Sequence, residues 1–133
     1  MISTLEQLKI DEGLSLKLYK CTSDKWSIGY GRNLEDNPLT IEEAEYLLKS
    51  DLEKVSRECA KLPYYSELDP HRRGVILNMV FNMGMRRFKG FKKMNAALSA
   101  RNYELATIEL LDSDAARKLP ERYGRLAKIM RFG

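Results

Sequence analysis

The sequence is poor in histidine and cysteine: His71 stands alone, and Cys21 and Cys59 lie 38 positions apart in 133 residues. Neither cysteine has a Cys or His at metal-ligand spacing, which excludes a zinc ribbon, a His-rich metal site and a CxxC redox pair. No cofactor is expected. A Ser-His-Asp triad would have to use His71, and nothing around it suggests one. Long apolar runs are missing too. The longest uncharged stretch of this kind, Gly74–Val80, is far short of the ~20 residues of a membrane-spanning helix, so no stable membrane insertion is expected. Met1-Ile2-Ser3-Thr4-Leu5-Glu6 has neither a basic start nor an apolar run. No secretory signal is therefore visible, and reduced thiols in a cytoplasm are the expectation.

What is present is ordinary for a globular chain, with 44% hydrophobic and 32% charged residues, too apolar for disorder. The length suits one domain that buries roughly two-thirds of its unfolded surface. The net charge of +4 is unevenly spread. Arg86 to Arg101 carries six basic residues and no acid, and Arg117 to Arg131 six more against Glu121 alone. Glu35 to Glu58 instead holds eight acids and three bases. A basic C-terminal half attracts polyanions, which include nucleic acid, an anionic bacterial envelope and membrane surfaces. A solvated helix face is the plainer reading of the same charges.

Local patterns divide the chain. Ser3 with Glu6 has capping-box spacing, and Asp11-Glu12-Gly13 closes a helix over 3–12 whose stripe is Ile2, Leu5 and Leu8. The period then becomes two, with Leu14, Leu16 and Leu18 before a turn at Cys21–Lys25 and Trp26, Ile28 and Tyr30 after it. That is a hairpin, with room for a short third strand after Asn33. Thr40 with Glu43 forms a second capping box. Ala44, Leu47, Leu48, Leu52, Val55 and Cys59 then continue at helical spacing to Leu62-Pro63. Asp69-Pro70 opens a further helix, apolar on nearly all sides, that stops at Gly84 and belongs at the centre of a helical lobe. Shorter helices are expected over Phe91–Ala100, Tyr103–Leu111 and Pro120–Met130. The expected architecture is α+β, mainly α, in a single domain over 1–133. It has a hairpin lobe over about 13–38, an inter-lobe helix over about 41–61, and a helical lobe over about 62–133 that includes the N-terminal helix.

Two features could carry chemistry. Glu12 stands at a helix end just before a glycine and a hairpin. A partly buried carboxyl there would have a raised pKa suited to a general acid, although a glutamate at a helix end is commonly structural. In Trp26-Ser27-Ile28-Gly29-Tyr30-Gly31-Arg32, Gly29 and Gly31 alternate with larger residues and strip one face of side chains, so that a ligand or another backbone can come close. A twisted hairpin packed on a helix explains the same pattern.

Ile10-Asp11-Glu12-Gly13-Leu14-Ser15-Leu16-Lys17-Leu18-Tyr19-Lys20, followed by Trp26–Gly31, resembles the catalytic hairpin of phage-type lysozymes, the T-even phage muramidase family. Asn78-Met79-Val80-Phe81-Asn82-Met83-Gly84 is similar to that family's central helix, and Leu119-Pro120-Glu121-Arg122-Tyr123-Gly124-Arg125 to its proline-led basic helix. The matches run in family order over nearly the whole chain, with the region between the lobes shortened. The resemblance implies a lysozyme-like fold with a cleft between the lobes. It gives Glu12 the role of general acid, Arg122 that of its pairing partner, and Ser27 the place of a threonine that helps hold the hydrolytic water. Phe81 and Asn82 fall on cleft residues. Asn33, Met94 and Glu109 also stand at cleft positions, with residue types that differ from the family's, and Arg32 replaces a histidine.

Cys21 falls where the family has its second carboxylate. Glycoside hydrolysis ordinarily uses two carboxylates, and a thiol with a pKa near ~8.5 is a poor base at neutral pH unless a neighbour such as Lys20 or Lys25 lowers it. As a thiolate it could orient water, stabilise the transition state or attack the anomeric carbon. Asp24 offers a carboxylate if the turn folds back. Three functions compete: an active muramidase, an inactive relative that binds peptidoglycan or serves as a scaffold, and a basic nucleic-acid-binding module. No nucleic-acid motif is present, and retention of Glu12, Ser27 and Arg122 favours the enzyme. The resemblance thus implies a monomeric endolysin acting on bacterial peptidoglycan. It would gather in the host cytoplasm and reach the wall through a separate membrane-permeabilising protein.

Overall fold

The structure is a computed structural model that describes all residues, Met1–Gly133. It is α+β and mainly helical, with one small antiparallel sheet. The chain divides into two compact units, Met1–Leu47 and Leu48–Gly133.

The first unit opens with α1 (Thr4–Glu12). The Ser3 hydroxyl accepts the Glu6 N–H at 3.2 Å, and the Gly13 N–H closes the helix on the Lys9 carbonyl. Strands β1 (Ser15–Lys20), β2 (Trp26–Gly29) and β3 (Arg32–Asn33) follow in sheet order β1-β2-β3. β1 and β2 pair through Tyr19 with Ser27 and Lys20 with Trp26, and the register slips before Ser15 meets Gly29. The turn between them is closed by the Cys21 N–H on the Lys25 carbonyl and the Asp24 N–H on the Cys21 carbonyl. Asp24 adopts φ 59° there, a left-handed conformation that aspartate tolerates better than most residues. A third strand forms, but it is two residues long and lies at Arg32–Asn33, largely ahead of the 33–38 stretch where room for one was expected.

Side chains build the segment after β3. Asn33 Oδ1 accepts the N–H groups of Glu35 and Asp36, its Nδ2 donates to Asp36, and Glu35 accepts the Trp26 N–H at 2.8 Å. This is an Asx turn. Helix α2 (Ile41–Cys59) then starts on the Thr40–Glu43 capping box. Glu43 N–H donates to the Thr40 hydroxyl at 3.1 Å and Thr40 N–H to the Glu43 carboxylate at 2.9 Å. The boundary between the two units falls inside α2.

The second unit holds the hydrophobic core. After a 3₁₀ turn at Tyr65–Glu67, α3 (Pro70–Met83) buries Val75, Ile76, Met79 and Val80. Asp69 caps it by accepting the Arg72 N–H, and Gly84 ends it with its N–H on the Val80 carbonyl. Around α3 lie α4 (Met85–Lys89), α5 (Lys92–Ser99), α6 (Tyr103–Leu111), α7 (Asp114–Lys118) and α8 (Pro120–Phe132). α6 packs on α5 and α8, and α3 on α4 and α8. Phe88, Met94, Leu98, Leu110, Tyr123 and Met130 fill the space between, each almost wholly buried. Arg72 fastens the start of α3 to the end of α8 through the carbonyls of Met130 (2.7 Å) and Arg131 (3.0 Å), while its guanidinium lies over the Tyr103 ring. These contacts satisfy two of the carbonyls that a helix C-terminus leaves unpaired. No buried side-chain polar atom lacks a partner.

Candidate active site

In the first unit, Glu12 is the last residue of α1 and its side chain is exposed at the sheet. Its carboxylate lies against Gly31, in the connection between β2 and β3. A Cβ placed on Gly31 would sit 2.5 Å from Glu12 Oε2, and Gly31 has φ 74°. The positive φ favours glycine at 31, and the absence of a side chain there leaves the room that the carboxylate occupies. Of the two hairpin glycines, Gly31 admits a close approach, and the approaching group is the candidate acid, whereas a Cβ on Gly29 would meet nothing within 4 Å.

Cys21 opens the turn between β1 and β2. It is a free thiol, half-buried, while Ser27 on β2 is almost completely buried at 1% exposure. The backbone N–H groups of Lys25 and then Ser23 hold the thiol below its ordinary value of 9.0, against an upward push from burial that exceeds the further lowering by the Ser27 hydroxyl. The Ser27 hydroxyl also lies 3.3 Å from the Lys25 carbonyl. Peptide dipoles of the turn thus favour the thiolate, as backbone donors do for any anion they converge on. The neighbouring ammonium groups are engaged elsewhere. Lys20 Nζ lies 3.8 Å from Asp24 and over the Trp26 ring, and Lys25 Nζ lies 3.8 Å from Asp36. Asp24 is therefore directed to Lys20, and its side chain is 90% exposed. Asn33 is placed differently from a free ligand-binding side chain, since both ends of its amide serve the turn described above.

In the second unit, the Tyr123 hydroxyl donates to Asn82 Oδ1 at 2.7 Å and orients that amide. Arg122 donates through Nε to Asn78 Oδ1 at 2.9 Å, which holds its guanidinium on α3. Phe81 is exposed beside Asn82. Asn82, Met94 and Glu109 line one groove of about 830 Å³ on this unit. Phe91, Lys92 and Lys93 complete one side of it, and Arg117 lies on α7. There Arg117 is paired with Asp112 and Asp114. The sequence signals Lys92 and Lys93 as charge alone. Phe91 and Arg117 enter the groove because α4 and α7, too short to announce themselves by periodicity, redirect the chain on either side. Cys59 is buried in this unit's core, and burial pushes its thiol up to about 11. No group of three or more His, Cys, Asp or Glu side chains could hold a metal ion, and no helix is long and apolar enough to cross a membrane.

Comparison with known proteins agrees with the motifs. The phage lysozyme family model matches residues 9–121. A probable T4-type lysozyme of Dictyostelium discoideum is 26% identical over 164 aligned positions, which cover 100% of this chain and 96% of that protein. The alignment is longer than the chain, so the relative carries segments absent here. An endolysin of Acyrthosiphon pisum secondary endosymbiont phage 1 is 32% identical over 120 residues, 83% of this chain and 76% of that protein. The pre-baseplate central spike protein Gp5 of Enterobacteria phage T4 is 28% identical over 161 positions, 99% of this chain but 28% of that protein. The chain belongs to the phage lysozyme family and has the lysozyme-type glycosidase function of that family.

Proposed function

We propose that the protein is an endolysin-type muramidase that hydrolyses the β-1,4 bond between N-acetylmuramic acid and N-acetylglucosamine in peptidoglycan, lysing a host cell. Glu12 protonates the glycosidic oxygen as it leaves. The Cys21 thiolate and the Ser27 hydroxyl hold and polarise the attacking water, in the place that the usual second carboxylate would take. Arg122 supports the acid, and Phe81, Asn82 and Glu109 contact sugar. The observation that carries this reading is the Glu12 carboxylate lodged in the space that a side chain at residue 31 would take, together with a turn whose backbone N–H groups lower the Cys21 thiol. A lowered thiol pKa favours the anion. An inactive wall-binding relative would have no use for it. The similarity to a phage endolysin supports host lysis as the setting. In the same reading the protein gathers in the host cytoplasm and meets the wall through a separate membrane-permeabilising protein.

Digestion of purified walls tests the bond. New reducing ends on N-acetylmuramic acid, absent with Glu12→Gln, are the expected products. Reducing ends on N-acetylglucosamine, or released peptides with intact glycan, would overturn the assignment.

A further inference from the structure

The connection that presses on Glu12 is fastened by one side chain. Gly31 is followed directly by Arg32, the first residue of β3. β3 is two residues long and has β2 as its sole partner, so the ladder alone fixes it weakly. Arg32 supplies the missing restraint. Its Nε donates to the Asn37 carbonyl at 3.0 Å and its Nη2 to the Pro38 carbonyl at 2.6 Å. Its Nη1 pairs with the Glu43 carboxylate. Glu43 is itself locked by the Thr40 N–H and hydroxyl at the first turn of α2. One planar guanidinium thus joins β3, the 37–38 backbone and the start of α2, using the fork of donors that lysine lacks.

We infer that Arg32, clamped to Glu43 and to the carbonyls of Asn37 and Pro38, is a positioning residue that fixes Gly31 against the Glu12 carboxylate and so sets the acid's reach to the glycosidic oxygen. The inference rests on Glu12 being the acid. Its physical basis is distance. The Glu12 carboxylate fills the space that a side chain on residue 31 would take, so drift of residue 31 changes the room that sets the carboxylate's orientation. Displacing a catalytic group by about 1 Å is enough to cost on the order of a hundredfold in rate. Arg32 touches no reacting atom in this role, so its loss should lower kcat and leave substrate affinity alone.

The test is steady-state wall hydrolysis by Arg32→Met, Arg32→Lys and Glu43→Gln, assayed well below each unfolding midpoint, beside Glu12→Gln and the surface variant Arg101→Met. Arg101 pairs with Glu67 at 3.1 Å in the second unit and controls for loss of an exposed ion pair. The expected result is a kcat roughly ten- to a hundredfold lower in Arg32→Met with KM within about twofold. Arg32→Lys should recover part of the loss, and Arg101→Met should match the parent. A folded Arg32→Met with parental kcat overturns the inference, as does a loss seen wholly in KM. Should Arg32→Met fail to fold, Glu43→Gln decides: lowered kcat at unchanged KM supports the clamp, and parental kcat overturns it. Glu12→Gln separates the two ideas. If that variant is inactive and Arg32→Met parental, the clamp alone falls. If Glu12→Gln is itself active, the acid assignment falls and takes the clamp with it.

Discussion

The Glu12 carboxylate and Gly31 share one space: a Cβ on Gly31 would come within 2.5 Å of Oε2. α1 ends at the position that delivers its last side chain to the connection between β2 and β3. Glu12→Gln keeps that shape but cannot release a proton to the leaving oxygen. It should retain the parent's unfolding midpoint and lose activity by ~10²–10⁴-fold, the usual worth of general acid catalysis. Turbidity clearing of walls by the purified variant checks this, and near-parental clearing would contradict it.

Ser27→Ala should leave the sheet intact and raise the Cys21 pKa, because one of the donors to the sulfur is removed while the Lys25 and Ser23 N–H groups remain. The rate of thiol alkylation against pH reports this directly. Cys59 is silent in the assay, being buried with its thiol pushed up to about 11. The alkylation profile of Ser27→Ala should move to higher pH, and an unmoved profile would remove Ser27 from the site.

The helix starts were legible because their chemistry is local. Ser3 with Glu6, Thr40 with Glu43, and Asp69 before Pro70 each cap a helix through contacts no more than three residues apart. The resemblance gave Glu12, Cys21 and Ser27 their roles, and in the structure Cys21 opens the turn after β1 while Ser27 lies on β2. α4 and α7 were not legible, since five residues are too few to show a period. The origin of the thiol's shift was also hidden. Lys20 and Lys25 stand out as charges in the sequence, yet peptide N–H groups do the work, through a turn that needs Asp24 at φ 59°. Asn33 sits at a cleft position by resemblance, while its amide is committed to an Asx turn with Glu35 and Asp36.

Arg32 holds the Glu43 carboxyl down to about 2 from an ordinary 4.5. A carboxyl lowered by folding contributes stability that is complete above its unfolded value and is lost as pH falls toward its folded value. The parent should therefore unfold at a higher temperature than Glu43→Gln at neutral pH. The gap should close between about pH 4.5 and pH 2. Thermal unfolding followed by circular dichroism at stepped pH measures it, and a gap that persists at pH 2 would contradict the pairing.

Arg86, Arg87, Lys89, Lys92 and Lys93 carry no acidic neighbour in sequence and enter no ion pair shorter than 4 Å. They should speed association with an anionic wall over about a Debye length, ~8–10 Å near physiological salt. Lysis should weaken as salt rises, and Lys92→Gln with Lys93→Gln should flatten that dependence. A parental rate indifferent to salt would leave this face a solubilising one.

If a thiolate at residue 21 does the work of a carboxylate, the pH–rate profile of Cys21→Asp against the parent will show it. A free carboxyl ionises near ~3.9 and a free thiol near ~8.5, while the turn draws the Cys21 value below its ordinary one. Cys21→Asp should keep or improve activity, with its rising limb moved to lower pH, while Cys21→Ala and the alkylated parent should lose most of theirs. If Cys21→Ala lyses walls as well as the parent, or if the limb stays in place when aspartate replaces the thiol, Cys21 has no catalytic role.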